Sequence, residues 1–186
     1  MFDLGGGGVQ LLGYGPGKVD VNHHNEVARN YIHNIGKSYR HSGGIHIFGA
    51  GKNHIWGNVI QNTPYTAILI VGAKQLELRM ADASHELFNE IMNVHDAYGN
   101  SDALYKIRHK EICGQIGERD PKRFLHSDNN MVEYNICADI MQVLGDGGSL
   151  YSWSSGRHNI WQKNLLRDRS NRGLRPIYMD DDIEDH

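Results

Sequence analysis

The chain has 186 residues, 22 of them glycine and only 4 proline, with 39% hydrophobic and 22% charged side chains, the composition of one ordered domain and not of a disordered or collagenous segment. A net charge of −3 offers no positive field for a phosphate backbone, which argues against nucleic acid as a partner. No run of about eighteen apolar residues marks a transmembrane helix, and Met1 to Gly8 shows no signal-peptide pattern.

In chain order, Gly5 to Gly8 open a glycine-rich stretch that lacks the Lys-Ser/Thr of a phosphate loop. Val9 and Leu11 alternate instead like the strand of an incomplete first coil. A pattern then appears that organises the rest: Val27, Asn30, Ile32, Asn34. It returns as Ile55, Asn58, Ile60, Asn62, and around Asn89, Ile91 and Asn93 with Glu86 in the leading apolar place. Two more copies follow, Val132, Asn135, Cys137, Asp139 and Trp161, Asn164, Leu166, Asp168. The intervals between the first asparagines are 28, 31, 46 and 29 residues, a period that predicts a solenoid.

The period-two alternation inside each copy, with Gly-Gly and Thr-Pro breakers between copies, predicts an all-β parallel β-helix and not a helical repeat. Apolar residues two apart point into a continuous core. Asparagine suits the tight corners, because it tolerates left-handed backbone and can bond to its equivalent in the next coil. Ile45/Ile47, Ile68/Ile70 and Leu76/Leu78 read as further inward pairs. Residues 1–186 thus form one solenoid domain, with the excess of the long interval looped out at 95–126. Long loops on a rigid repeat commonly carry function. Cys113 and Cys137 make neither a disulfide framework nor a metal site, and Cys137 takes an inward slot. No capping helix is visible at either end, so the chain is expected to be a fragment of a longer β-helix or to cap itself by association.

Alignment on Ile45, Leu150 and Ile177 turns His46 and Phe48, Tyr151 and Trp153, and Tyr178 and Asp180 outward as one aromatic, partly acidic strip. Such faces suit the C–H faces of sugar rings, although packing under the long loop is the simpler alternative. Asp146 sits in a glycine-flanked turn just before the strip, where a substrate can approach closely. Asp180, Asp181 and Asp182 read either as a solvated acidic tail or as a calcium site. Glu111, three residues from Arg108 on the expected loop, is a further acid or one half of a surface ion pair. His41, Tyr65 and His126 can bond sugar hydroxyls or satisfy turns. Two carboxyl groups of different environment are what glycoside cleavage requires.

These pieces together resemble the right-handed parallel β-helix proteins of carbohydrate metabolism, most closely glycoside hydrolase family 141. The resemblance is carried by the glycine-rich opening, Asn25 to Asn34, His41 to Ile45, Asn62 to Ile68, Phe124 to His126, Val132 to Asn135, and above all Leu144 to Gly148 and Ile177 to Asp181. It implies a right-handed winding, a secreted or periplasmic protein, and a catalytic wall that cuts plant or algal glycans. Asp146 with Asp180 or Asp181 would be the carboxylate pair, with no resident cofactor. Arg108, His41, His46, Tyr65, His126, Tyr151, Trp153 and Tyr178 would be the sugar contacts. A polysaccharide lyase on the same scaffold, with Arg108 and the Asp180–Asp182 cluster in play, and a non-catalytic carbohydrate-binding β-helix are the competing expectations.

Overall fold

A computed structural model describes residues 1–13, 17–72, 121–167 and 175–180. Each short alternating segment of the sequence forms a strand, and equivalent strands of successive coils pair in parallel. The first sheet stacks β2 (Glu26–Ala28), β5 (His54–Trp56), β8 (Met131–Glu133) and β11 (Ile160–Gln162). The second stacks β3 (Tyr31–His33), β6 (Val59–Gln61), β9 (Ile136–Ala138) and β12 (Leu165–Arg167). The third, with five strands, stacks β1 (Val9–Leu12), β4 (Ile45–Phe48), β7 (Ile68–Val71), β10 (Gly148–Trp153) and β13 (Arg175–Asp180). The protein is an all-β solenoid of three parallel sheets, and its described residues contain no α-helix beyond one 3₁₀ turn, Pro121–Phe124.

Register turns the alternation into columns. Val27, Ile55, Val132 and Trp161 line the first sheet, and Ile32, Ile60, Cys137 and Leu166 the second. On the third, Val9, Ile45, Ile68, Leu150 and Ile177 form one inward column. Ile32, Ile45, Ile55, Ile60, Ile68 and Ile70 are completely buried, each stabilising the stack by about 1.5–3 kcal/mol. Cys137 is buried in its slot, as a small hydrophobe should be.

The corners divide labour in a way the repeat did not reveal. Asn34 and Asn62 take the left-handed conformation themselves. At the other two corners the left-handed residue is the one before the asparagine: Arg29, Gly57, Tyr134 and Lys163, and likewise His24, Lys52, Asn129 and His158. This frees the asparagines to build ladders. Asn30, Asn58, Asn135 and Asn164 form one, each donating both its backbone N–H and its Nδ2 to the Oδ1 of the next, at 2.9–3.0 Å. Asn25, Asn53, Asn130 and Asn159 form a second in the same manner. Asn58, Asn135, Asn53 and Asn130 are buried, where an unpaired amide would be costly.

One expectation is corrected. The copy around Asn89 is not interposed between its neighbours: His54 pairs directly with Met131, Val59 with Ile136, and Ile68 with Leu150. Among the described residues, four copies of the repeat form the stack. Glu86 in the leading apolar place gives a physical reason, since an unpaired carboxylate in an inward slot costs far more than an aliphatic side chain. Asn89, Ile91, Asn93, Leu76 and Leu78 lie outside the described residues, as does most of the insertion expected at 95–126. Its described end, Phe124 and Leu125, packs on the outer face of the third sheet. Close stacking is enforced by glycine at Gly72, where a Cβ would lie 2.0 Å from the Ser154 carbonyl oxygen.

Candidate functional site

The outer face of the third sheet carries two columns: Gln10, His46, Leu69, Tyr151, Tyr178 and Leu12, Phe48, Val71, Trp153, Asp180. The expected pairings of Tyr151 with Tyr178 and Trp153 with Asp180 hold. β7 stands between them and His46, however, and inserts Leu69 and Val71 into the strip.

That insertion splits the wall. Phe48, Leu69 and Val71 are buried together with Phe124, Leu125 and Tyr151 in a second apolar cluster. His46 Nε2 is shielded without a hydrogen-bond partner, and burial lowers its pKa to about 4. His46 thus has its Nε2 turned away from solvent, beside Leu69 of the apolar cluster. His126 is also redirected. Its Nε2 donates to the Gly17 carbonyl at 2.8 Å, tying the end of the insertion to the first coil.

The other half is a part-buried phenol-and-carboxylate cluster packed against that apolar one, with buried Tyr151 common to both. Tyr65, at the end of the Thr63–Pro64 turn before β7, meets Tyr151 edge-on with ring centroids 6.2 Å apart. Direct stacking across the insertion makes this contact, since Tyr65 and Tyr151 belong to coils 86 residues apart in the chain but adjacent in space. Tyr151 and Tyr178 stack at 5.2 Å with rings 9° from parallel, as their register dictates. The Tyr151 hydroxyl donates to Asp180 Oδ2 at 2.8 Å. His41, exposed, lies edge-on to Tyr65 at 5.6 Å, and part-buried Trp153 packs against the same cluster.

Asp146 joins from the turn before β10. Gly147, at φ +151°, lets that turn lie on Tyr65; a Cβ there would sit 3.1 Å from the ring. Burial first, and then the Asp146 and Asp180 charges, raise the pKa of the Tyr65 phenol. Burial, the hydrogen bond to Asp180 and both carboxylates do the same for Tyr151. Both phenols are thereby kept as protonated donors facing two acids in unlike settings. Asp180 is part-buried and bonded to a phenol, while Asp146 is exposed on its turn.

The structure thus brings together Asp146, Asp180, Tyr65, Tyr151, Tyr178, Trp153 and His41. Asp181, Asp182, Glu111 and Arg108 lie outside the described residues, and with them the expected calcium site at Asp180–Asp182. The sequence reading missed Arg175, whose guanidinium lies 4.1 Å over the Tyr178 ring. Alternation gave no signal for it, since residues three apart on a strand face opposite sides and Arg175 shares the parity of inward Ile177. Comparison with protein families, with curated proteins and with solved structures finds no match for the chain.

Proposed function

We propose that the chain is a right-handed parallel β-helix that hydrolyses a glycosidic bond of a plant or algal polysaccharide, with Asp146 and Asp180 as the carboxyl pair. Right-handed winding follows the strong preference of parallel crossovers for that hand. The observation that carries the catalytic reading is the pair of carboxylates of unlike environment facing the same two phenols on one wall. Asp180 accepts a hydrogen bond from Tyr151, which holds its carboxylate in place to act as nucleophile or base. Asp146, exposed on a turn flanked by glycines, takes the role of acid toward the departing oxygen. Tyr65 and Trp153 offer ring faces to the sugar, and the Tyr178 hydroxyl a polar contact. Such a substrate is met outside the cytoplasm, where we place the protein.

The test is glycan cleavage by wild type, Asp146→Asn and Asp180→Asn across a polysaccharide panel, read as new reducing ends. Each substitution is expected to lower turnover at least a hundredfold, the scale of a lost acid or base, with far-UV circular dichroism unchanged. Full activity in both variants would end the assignment. Ultraviolet-absorbing unsaturated products would transfer the site to a lyase.

A further inference from the structure

We infer that the site takes the end of a glycan chain and not its middle, because Phe124 and Leu125 wall off the third sheet on one side of the carboxyl pair. This deepens the hydrolase reading and rests on it. The outward columns of that sheet run along the solenoid axis, and both cross the site. One passes from Tyr178 to Tyr151 and then to Leu69; the other passes from Asp180 to Trp153 and then to Val71. A sugar chain bound along these columns, toward the N-terminal coils, leaves Tyr151 and Trp153 and comes to β7. There Leu69 and Val71 are buried in one apolar cluster with Phe48, Phe124 and Leu125, and Tyr151 forms the edge of the same cluster.

The wall is fastened to the body of the stack. His126 Nε2 donates to the Gly17 carbonyl at 2.8 Å, and the Gly17 N–H donates to the Phe124 carbonyl at 3.2 Å. This reciprocal pair holds Phe124 to His126 against the first coil. The Ser127 hydroxyl then accepts the Gly49 N–H at 2.8 Å and donates to the Val71 carbonyl, joining the ends of β4 and β7. Phe124 and Leu125 are thus built into the packed structure, and a substrate does not displace them without breaking these bonds. About one coil spacing, 4.8 Å, separates β13 with Asp180 from β10, and another separates β10 from walled β7. That length accommodates a chain end beside Asp180 and stops a chain that continues, so the remainder of the glycan leaves on the opposite side.

The test is the product pattern. The probe is the intact polysaccharide of the panel on which wild type raises most reducing ends, followed by chromatography of the products and by viscosity. Wild type is expected to release one short product from the first time points, with little viscosity lost per bond cut. Phe124→Ala with Leu125→Ala opens the wall, and is expected to give a ladder of intermediate lengths with a severalfold larger loss of viscosity per bond cut. Leu125→Ala alone, the smaller excavation, is expected to shift the products the same way, and it decides the matter if the double variant loses its circular dichroism. A ladder from wild type at the first time points overturns the chain-end assignment and leaves the hydrolase reading standing. One short product from wild type and folded variants alike also overturns it, since the wall then sets nothing. No cleavage of any polysaccharide by wild type overturns both.

Discussion

Removing the Asn58 side chain tests whether the inner ladder holds the coils together. Asn58 is fully buried, and its Nδ2 donates to Val27 O at 2.8 Å and to Asn135 Oδ1 at 2.9 Å. Its Oδ1 accepts from both the backbone and the side chain of Asn30 at 3.0 Å. Asn58→Ala deletes these four bonds and leaves the partners on both adjacent coils in a site closed to water. With about 1 kcal/mol for each ordinary bond and about 1–3 kcal/mol for each stranded buried group, the loss comes to about 3–5 kcal/mol. Asn58→Asp keeps the shape and the acceptor, but it faces the Val27 carbonyl and Asn135 Oδ1 without a donor, and costs at least as much at neutral pH. The control is Asn62→Gly. It preserves the left-handed backbone of Asn62 and removes only one exposed side-chain bond, to Asn34. Chemical denaturation followed by circular dichroism reads the midpoints. Equal midpoints for Asn58→Ala and Asn62→Gly would refute the ladder as a source of stability.

Other outcomes follow from the same geometry. His46 takes a proton near pH 6.5 when unfolded but only near 4 when folded. The unfolded state therefore binds more protons in that window. Stability is expected to fall as pH drops from about 6.5 to about 4, by at most about 3 kcal/mol, and to flatten over the same range in His46→Phe. Burial pushes the Cys137 thiol up to about 12, so in a Cys113→Ser background a thiol reagent labels the chain only after unfolding. A Cβ at Gly13 would lie 1.7 Å from the Gly49 carbonyl oxygen and one at Gly72 2.0 Å from that of Ser154, so Ala at either position lowers the unfolding free energy by about 1–3 kcal/mol or more, read as a lower denaturation midpoint.

Much of the fold was legible because the inward columns are written directly in the alternation. Ile32, Ile60 and Cys137 occupy equivalent slots in the sequence and equivalent slots in the core. What misled was the copy at Asn89, whose asparagine spacing matches but whose Glu86 cannot fill an inward place. Spacing reports corners, whereas only an unbroken apolar column reports a coil. The second ladder was harder to see, since Asn25, Asn53, Asn130 and Asn159 precede the apolar position that marks each copy. At the site, the register of Tyr151, Trp153, Tyr178 and Asp180 could be read from one strand alignment. The apolar cluster beside it could not, because Phe124 and Leu125 arrive from the far end of an insertion.

The contact of Tyr65 with Tyr151, and with it the whole candidate site, depends on the second repeat lying directly against the one after the insertion. Gln61→Cys with Ala138→Cys, in a Cys113→Ser background, measures this. Register neighbours are about 4.8 Å apart at Cα, within disulfide range, whereas an interposed coil doubles the gap beyond it. A Gln61–Ala138 crosslink that forms under mild oxidation and leaves the circular dichroism unchanged is the predicted result. Thiols that stay free in the folded protein would contradict it.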